Sequence, residues 1–274
     1  MTIESPNTAG SPVSPDSGPD YDLARLAVDR LGEPSGRFHF VWGHGWGQNR
    51  DAMKGLAQSL FALGTHDFLD FPGFGASPRP EATWTTADYA DLVHRWLADN
   101  TTGAPVVWVG HSFGGRVGIQ LAARHPDAVS HVALIAAAGL PRQRSAIEQA
   151  RLKGRVWTYK ALKRLAPLAG ISEDDLRRKF GSADYQSAGA LRDIFLEVIG
   201  EDLTDQARRI TCPVQLIYGG ADTETPPEIG RRLDALIPNS RLTVLDGLDH
   251  YSVLGDGRHQ VAKRLKTWLE ETAV

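Results

Sequence analysis

Apolar positions along the chain fall into short runs separated by longer stretches of helical spacing. "FHFVWG", "HDFLDF", "PVVWVG", "VSHVALIAAAG", "CPVQLIYGG" and "SRLTVLDG" are apolar runs closed by turn residues, the pattern of strands buried on both faces. "LARLAVDRL", ahead of them, also reads as strand. Between the runs, Met53, Leu56, Leu60 and Leu63 recur at helical spacing in "NRDAMKGLAQSLFAL". "TTADYADLVHRWLADN" is amphipathic, with Thr85 or Thr86 suited to capping it. "GGRVGIQLAARH", "PPEIGRRLDALI" and "RHQVAKRLKTWLEE" read as further helices. Strands alternating with helices predict an α/β fold with a mostly parallel sheet covered on both faces.

The alternation stops at about Gly139 and resumes after about Arg209, with only helix and loop patterns between. The expected organisation is a core of residues 21–139 and 210–274, interrupted by a helical lid at 140–209. Residues 1–20, "MTIESPNTAGSPVSPDSGPD", are rich in Pro, Ser, Gly and Asp and have almost nothing to bury, so they read as a disordered tail.

Composition narrows the classes. Apolar residues make up 42% of 274, enough for a well-filled core, and a net charge of −3 gives no reason to expect nucleic acid or an anionic membrane as partner. No segment approaches the roughly 20 apolar residues of a membrane span, and residues 1–20 have neither the basic start nor the apolar stretch expected of a secretory signal. The single cysteine, Cys212, excludes an internal disulfide. The expectation is a cytoplasmic protein.

"VGHSFGGR", residues 109–116, puts Ser112 in the pattern G-x-S-x-G between a strand-like and a helix-like segment. A serine on so tight a turn stands clear of the sheet beside the positive end of the next helix, as a nucleophile must. It also needs a base. His250, in "LDGLDHYSVL", lies in a loop just after a strand. His111 should point into the scaffold, His44 should shape its loop, and His259 should sit on the surface. His39, His66, His94, His125 and His131 read as structural. An acid must fix the imidazole tautomer. Asp222, in "LIYGGADTETP", follows a strand, with Glu224 as its rival and Asp249 badly placed. The order Ser112, Asp222, His250 is that of the strand–elbow–helix hydrolases. Two backbone N–H groups should receive the oxyanion, one from Phe113 and one from "GHGWG", where Trp46 is the expected donor.

"HGWGQN", "DFPGFGAS", "GHSFGG", "GGADTETP" and "DH" resemble, in order and from about residue 22 onward, the α/β-hydrolase superfamily. Within it, "HGWG" followed by "FPGFGAS" is similar to small carboxylesterases of the pimeloyl-carrier-protein methyl esterase type. His111 departs from that type, which often has tryptophan before the serine. The resemblance implies an eight-stranded sheet, a helical lid and cofactor-free hydrolysis through an acyl-enzyme. It carries the triad to Ser112, Asp222 and His250, and the oxyanion hole to Trp46 and Phe113.

Residues 141–180 hold eleven Lys or Arg against four Asp or Glu. Arg144, Arg151 and Arg155 recur at spacings that share a helix face. They form either a solvated face or a docking surface for an acidic carrier protein or an anionic substrate. Trp46, Phe74, Trp157 and Tyr251 are candidates to line an acyl pocket, or plain packing. The expected function is cleavage of a small-molecule ester or thioester. Carbon–carbon hydrolysis and perhydrolysis use the same apparatus, and a non-enzymatic ligand-binding or signalling protein on this scaffold is the reading from another class.

Overall fold

The computed structural model describes residues 20–143, residues 150, 151, 154, 157, 158 and 162, and residues 188–272. Seven strands form one sheet: β1 (Val28–Gly32), β2 (Phe38–Gly43), β3 (Gly64–Leu69), β4 (Val106–His111), β5 (His131–Ile135), β6 (Val214–Gly219) and β7 (Ser240–Leu245). Their order is β1-β3-β2-β4-β5-β6-β7. β1 runs antiparallel to β3, with Val28 opposite Leu69, and every other pair is parallel. Every residue of β2 to β6 is buried, the polar His39, Thr65, His66, Asp67 and Gln215 included.

The family resemblance implied eight strands, and the described residues contain seven. "LARLAVDRL" supplies only the second half of its expected strand. Leu23–Arg25 is a 3-10 turn, because the Asp22 carboxylate accepts from the Ala24 amide at 3.0 Å and holds the chain bent before β1.

The helices are α1 (Lys54–Ala57), α2 (Thr86–Asn100), α3 (Phe113–Arg124), α4 (Arg192–Gly200), α5 (Thr204–Arg208), α6 (Pro227–Leu236) and α7 (Arg258–Thr272). The single helix expected over residues 49–63 is instead α1 followed by a 3-10 segment, Gln58–Leu63. This tighter winding delivers the chain directly into Gly64, which packs so close to β2 that a Cβ there would lie 1.8 Å from the Phe38 carbonyl oxygen. Thr85 is the cap of α2: its hydroxyl accepts from the Asp88 amide, and the Asp88 carboxylate accepts from the Thr85 amide at 2.7 Å.

Alternate residues of each strand feed two cores. On one face Val41, Leu69, Trp108, Leu134 and Leu216 pack with α2, α3 and α6. On the other, Phe40, Trp42, Phe68, Val107 and Ile135 pack with Leu56 of α1 and with Leu265 and Trp268 of α7. Each fully buried large side chain contributes about 2–3 kcal/mol of apolar transfer.

Of the block expected as a lid, the described elements beyond residue 188 are a 3-10 turn (Gly189–Leu191), α4 and α5. Leu203, Ala207 and Ile210 are buried in the α3-side core, and the Leu203 amide donates to the Gly139 carbonyl at 2.8 Å. The chain thus rejoins the core before β6 begins. Among the described residues no helix is long and apolar enough to cross a membrane.

Candidate active site

The strand order reverses between β2 and β4: β3 lies on one side of β2, and β5 to β7 extend from the other side of β4. A parallel sheet opens a crevice at such a reversal, outside the carboxyl ends of its strands. Gly43 pairs with Gly110 there. The loop "HGWG" leaves β2 and Ser112 leaves β4 at this edge, while Asp222 follows β6 and His250 follows β7. Four separate pieces of chain converge because their strands are parallel.

Ser112 has φ 49° and ψ −103°, a backbone conformation that a residue with a Cβ adopts only under constraint. The constraint is visible. Its amide donates to the Ile135 carbonyl at 3.0 Å, and the Gly115 amide donates back to the Ser112 carbonyl at 3.0 Å. The glycines around it allow α3 to start directly over the sheet. A Cβ on Gly110 would lie 2.2 Å from the Gly114 carbonyl oxygen, and one on Gly114 would lie 2.0 Å from that of Gly43.

The Ser112 hydroxyl donates to His250 Nε2 at 3.0 Å, and His250 Nδ1–H donates to Asp222 Oδ2 at 2.8 Å. Asp222 and His250 are both buried. Burial would raise the Asp222 carboxyl. The hydrogen bond and charge of His250, then the amide and hydroxyl of Thr225, outweigh it and hold the group below the usual carboxylate range. Asp222 Oδ1 also accepts from the amides of Glu224 and Thr225, at 2.8 and 2.9 Å. Glu224, the rival acid, stands on the other side of the ring, with Oε2 3.6 Å from Nε2. Asp249 accepts from the amides of Tyr251 and Ser252 and so shapes the turn after β7.

Thr225 went unread in the sequence. Its hydroxyl lies 2.9 Å from Asp222 Oδ2, 3.0 Å from His250 Nδ1 and 2.9 Å from the Ala136 carbonyl oxygen. Its place three residues after Asp222 was the signal available, since a hydroxyl there can close a turn on the carboxylate.

A cleft of about 190 Å³ opens over Ser112, lined by Trp46, Phe113, Arg116, Phe195, Val198, Ile199, Glu224 and His250 among others. The Trp46 and Phe113 amides make no hydrogen bond among the described residues. The Trp46 ring sits edge-on to Phe74 and Phe113, at 4.9 and 5.5 Å between centroids, and tilts against Phe195 of α4 at 5.0 Å. The Gly45 amide donates to Gln48 Oε1 at 2.8 Å, which folds the loop carrying Trp46.

The other histidines have separate places. His44 Nδ1–H donates to the Gly45 carbonyl at 2.7 Å, and its Nε2 accepts from the Phe71 amide at 3.1 Å. Burial lowers its pKa to about 4, so the ring is neutral. His111 is buried, and burial lowers its pKa to about 3. His259 is exposed.

Of the residues expected to touch substrate, Tyr251 is half-exposed beside the cleft, its ring edge-on to His250 at 5.1 Å. Trp157 is 73% exposed and is not among the residues that line the cleft. Arg151 is exposed, whereas Arg144 and Arg155 lie outside the described residues.

Residues 40–264 match the model of the alpha/beta hydrolase family. The chain is 31% identical over 221 residues to a pimeloyl-[acyl-carrier protein] methyl ester esterase of Neisseria meningitidis, covering 76% of this chain and 84% of that one. It is 29% identical over 271 residues to the protein of the same name from Chromobacterium violaceum, covering 88% and 98%. A thermophilic esterase from Thermogutta terrifontis shares the fold at a TM-score of 0.67 and 20% identity, over 91% of this chain and 94% of that one. With the switch-point crevice and the strained serine already in place, the chain belongs to the alpha/beta hydrolase family.

Proposed function

We propose that the protein is a serine hydrolase of carboxylic esters. The observation that carries this reading is the continuous hydrogen-bonded line from Ser112 Oγ through His250 to Asp222, at 3.0 and 2.8 Å, under an open cleft. The relatives' name as methyl ester esterases supports the ester as the reacting group.

In this mechanism His250 Nε2 takes the hydroxyl proton as Ser112 Oγ bonds to the carbonyl carbon. The carbonyl oxygen becomes an anion and receives hydrogen bonds from the Trp46 and Phe113 amides, the latter at the positive end of α3. Asp222 holds Nδ1–H and stabilises the imidazolium. His250 then gives its proton to the departing alcohol oxygen as the carbon–oxygen bond breaks, leaving an acyl-enzyme. Water repeats the sequence: His250 takes its proton, the hydroxide attacks the acyl carbon, and Ser112 leaves with the proton restored. The steps use only groups of this chain and water.

The test is hydrolysis of p-nitrophenyl esters from acetate to decanoate, wild type beside Ser112→Ala, with fluorophosphonate labelling in parallel. Turnover that depends on Ser112 is the expected result. A chain that neither turns over any ester nor labels at Ser112 would be a binding protein on this scaffold.

A further inference from the structure

Arg116 lies one helical turn beyond Ser112 on α3 and is only 8% exposed. Among the described residues its guanidinium makes one hydrogen bond, from Nη1 to the Glu201 carbonyl oxygen at 3.3 Å, and enters no ion pair. Glu201 and Asp202 act on it only through space. The Glu201 carboxylate is engaged elsewhere, accepting from the Thr86 amide at 2.8 Å and from the Thr86 hydroxyl.

A guanidinium carries five N–H donors in a fixed fork, and one neutral carbonyl satisfies few of them. A buried guanidinium is costly, and among the described residues the charges of Glu201 and Asp202 and the carbonyl end of α4 offset its burial only in part. Arg116 is nonetheless a wall of the same cleft that Ser112, Phe113 and His250 line, beside Phe195 and Val198. The cleft is also polarised. Glu224 faces His250 Nε2, the atom that hands its proton to the departing alcohol, so negative charge already stands on the leaving-group side. The positive side is the one toward Arg116.

We infer that Arg116 binds a carboxylate on the acyl half of the substrate, so that the preferred esters are half-esters of short dicarboxylic acids. This rests on the reading of Ser112 as the nucleophile. Four residues of helix separate the two side chains by about 6 Å along the axis, a span suited to succinyl, glutaryl or adipyl groups. A planar carboxylate meets the guanidinium fork with two parallel hydrogen bonds. An acyl chain tethered to a carrier at its far end brings no free anion to Arg116, and the same comparison separates the two substrate classes.

The experiment compares kcat/KM for the monomethyl and dimethyl esters of succinate, glutarate and adipate, in wild type, Arg116→Gln and Arg116→Lys. Wild type is expected to prefer at least one monoanionic ester over its dimethyl partner by tenfold or more. Arg116→Gln should bring that ratio near one, and Arg116→Lys should keep part of it. A wild-type ratio near one for all three acids, or a preference that survives Arg116→Gln, overturns the inference. Should Arg116→Gln not fold, the wild-type ratios and Arg116→Lys decide the matter. If neither ester class is turned over, calorimetric titration with glutarate decides it: binding by wild type that Arg116→Gln loses supports the anion site, and no binding refutes it. Failure of the hydrolase reading shows separately, as a Ser112 that fluorophosphonate does not label whatever the glutarate result.

Discussion

His111 Nε2–H donates to the backbone carbonyl of His250 at 3.0 Å, so the residue before the candidate nucleophile holds the loop of the candidate base. The two rings lie 4.9 Å apart between centroids. His111 is neutral, with burial taking its pKa to about 3, so it acts as a fixed strut and takes no proton from Ser112. Replacing it with Phe keeps the bulk and removes the donor. The expected outcome is a drop in kcat of about tenfold, the order of one lost buried hydrogen bond, with KM little changed. A pre-steady-state measurement of acylation should place the loss in that step.

Asp222 sets the tautomer of His250 by accepting from Nδ1–H. Asp222→Asn keeps the volume but offers an amide to the ring, and a loss of about 10³–10⁴-fold in kcat is expected from the disturbed tautomer. Thr225→Val, which removes a hydroxyl 2.9 Å from Asp222 Oδ2, should cost about three- to tenfold. Steady-state kinetics on one p-nitrophenyl ester distinguish the two effects by size.

The elbow glycines should divide sharply from other glycines on substitution. A Cβ at Gly114 meets backbone oxygens of Gly43 and His44 at 2.0 and 2.9 Å, atoms that cannot rotate away. Gly114→Ala is expected to destabilise by about 3 kcal/mol or to prevent folding. Gly55 in α1 has nothing within 4 Å of an added Cβ. Gly55→Ala should be neutral or stabilising by up to about 1 kcal/mol. Urea denaturation of the two variants gives the comparison directly.

Stability should fall as pH drops from about 6.5 toward about 4. Burial lowers His44 and His66 to about 4 and His111 to about 3, so between those values and 6.5 the unfolded chain binds protons that the folded chain refuses. Their contribution is complete above 6.5 and is lost on acidification, at up to about 1.4 kcal/mol per pH unit for each ring. His66→Gln should flatten the slope of urea midpoint against pH, because His66 Nδ1 accepts from the Trp42 indole N–H at 3.0 Å and the ring is held neutral. The exposed His259→Gln should leave the slope as it is.

Local pattern alone pointed to the α/β class of this fold, to most of its strands and helices in their order, and to Ser112, Asp222 and His250 as candidate residues at strand ends. Strand burial shows as short, mostly apolar runs, and a strand-to-helix turn over the sheet needs glycines at fixed offsets, so both features are written into adjacent residues. Only the tertiary structure decided which groups meet across the fold. It put Thr225 between Asp222 and His250, set Glu224 against Nε2 and Asp222 against Nδ1, and tied His111 to the His250 carbonyl. Apart from the Thr225–Asp222 contact inside one loop, sequence spacing is silent on these contacts, because side chains on different strand ends approach through the register of a parallel sheet. Arg116 is the clearest case. As the last letter of "GHSFGGR" it reads as an ordinary helix arginine, and only the fold brings it against Glu201, just past α4, and beside Phe195 and Val198 at the cleft.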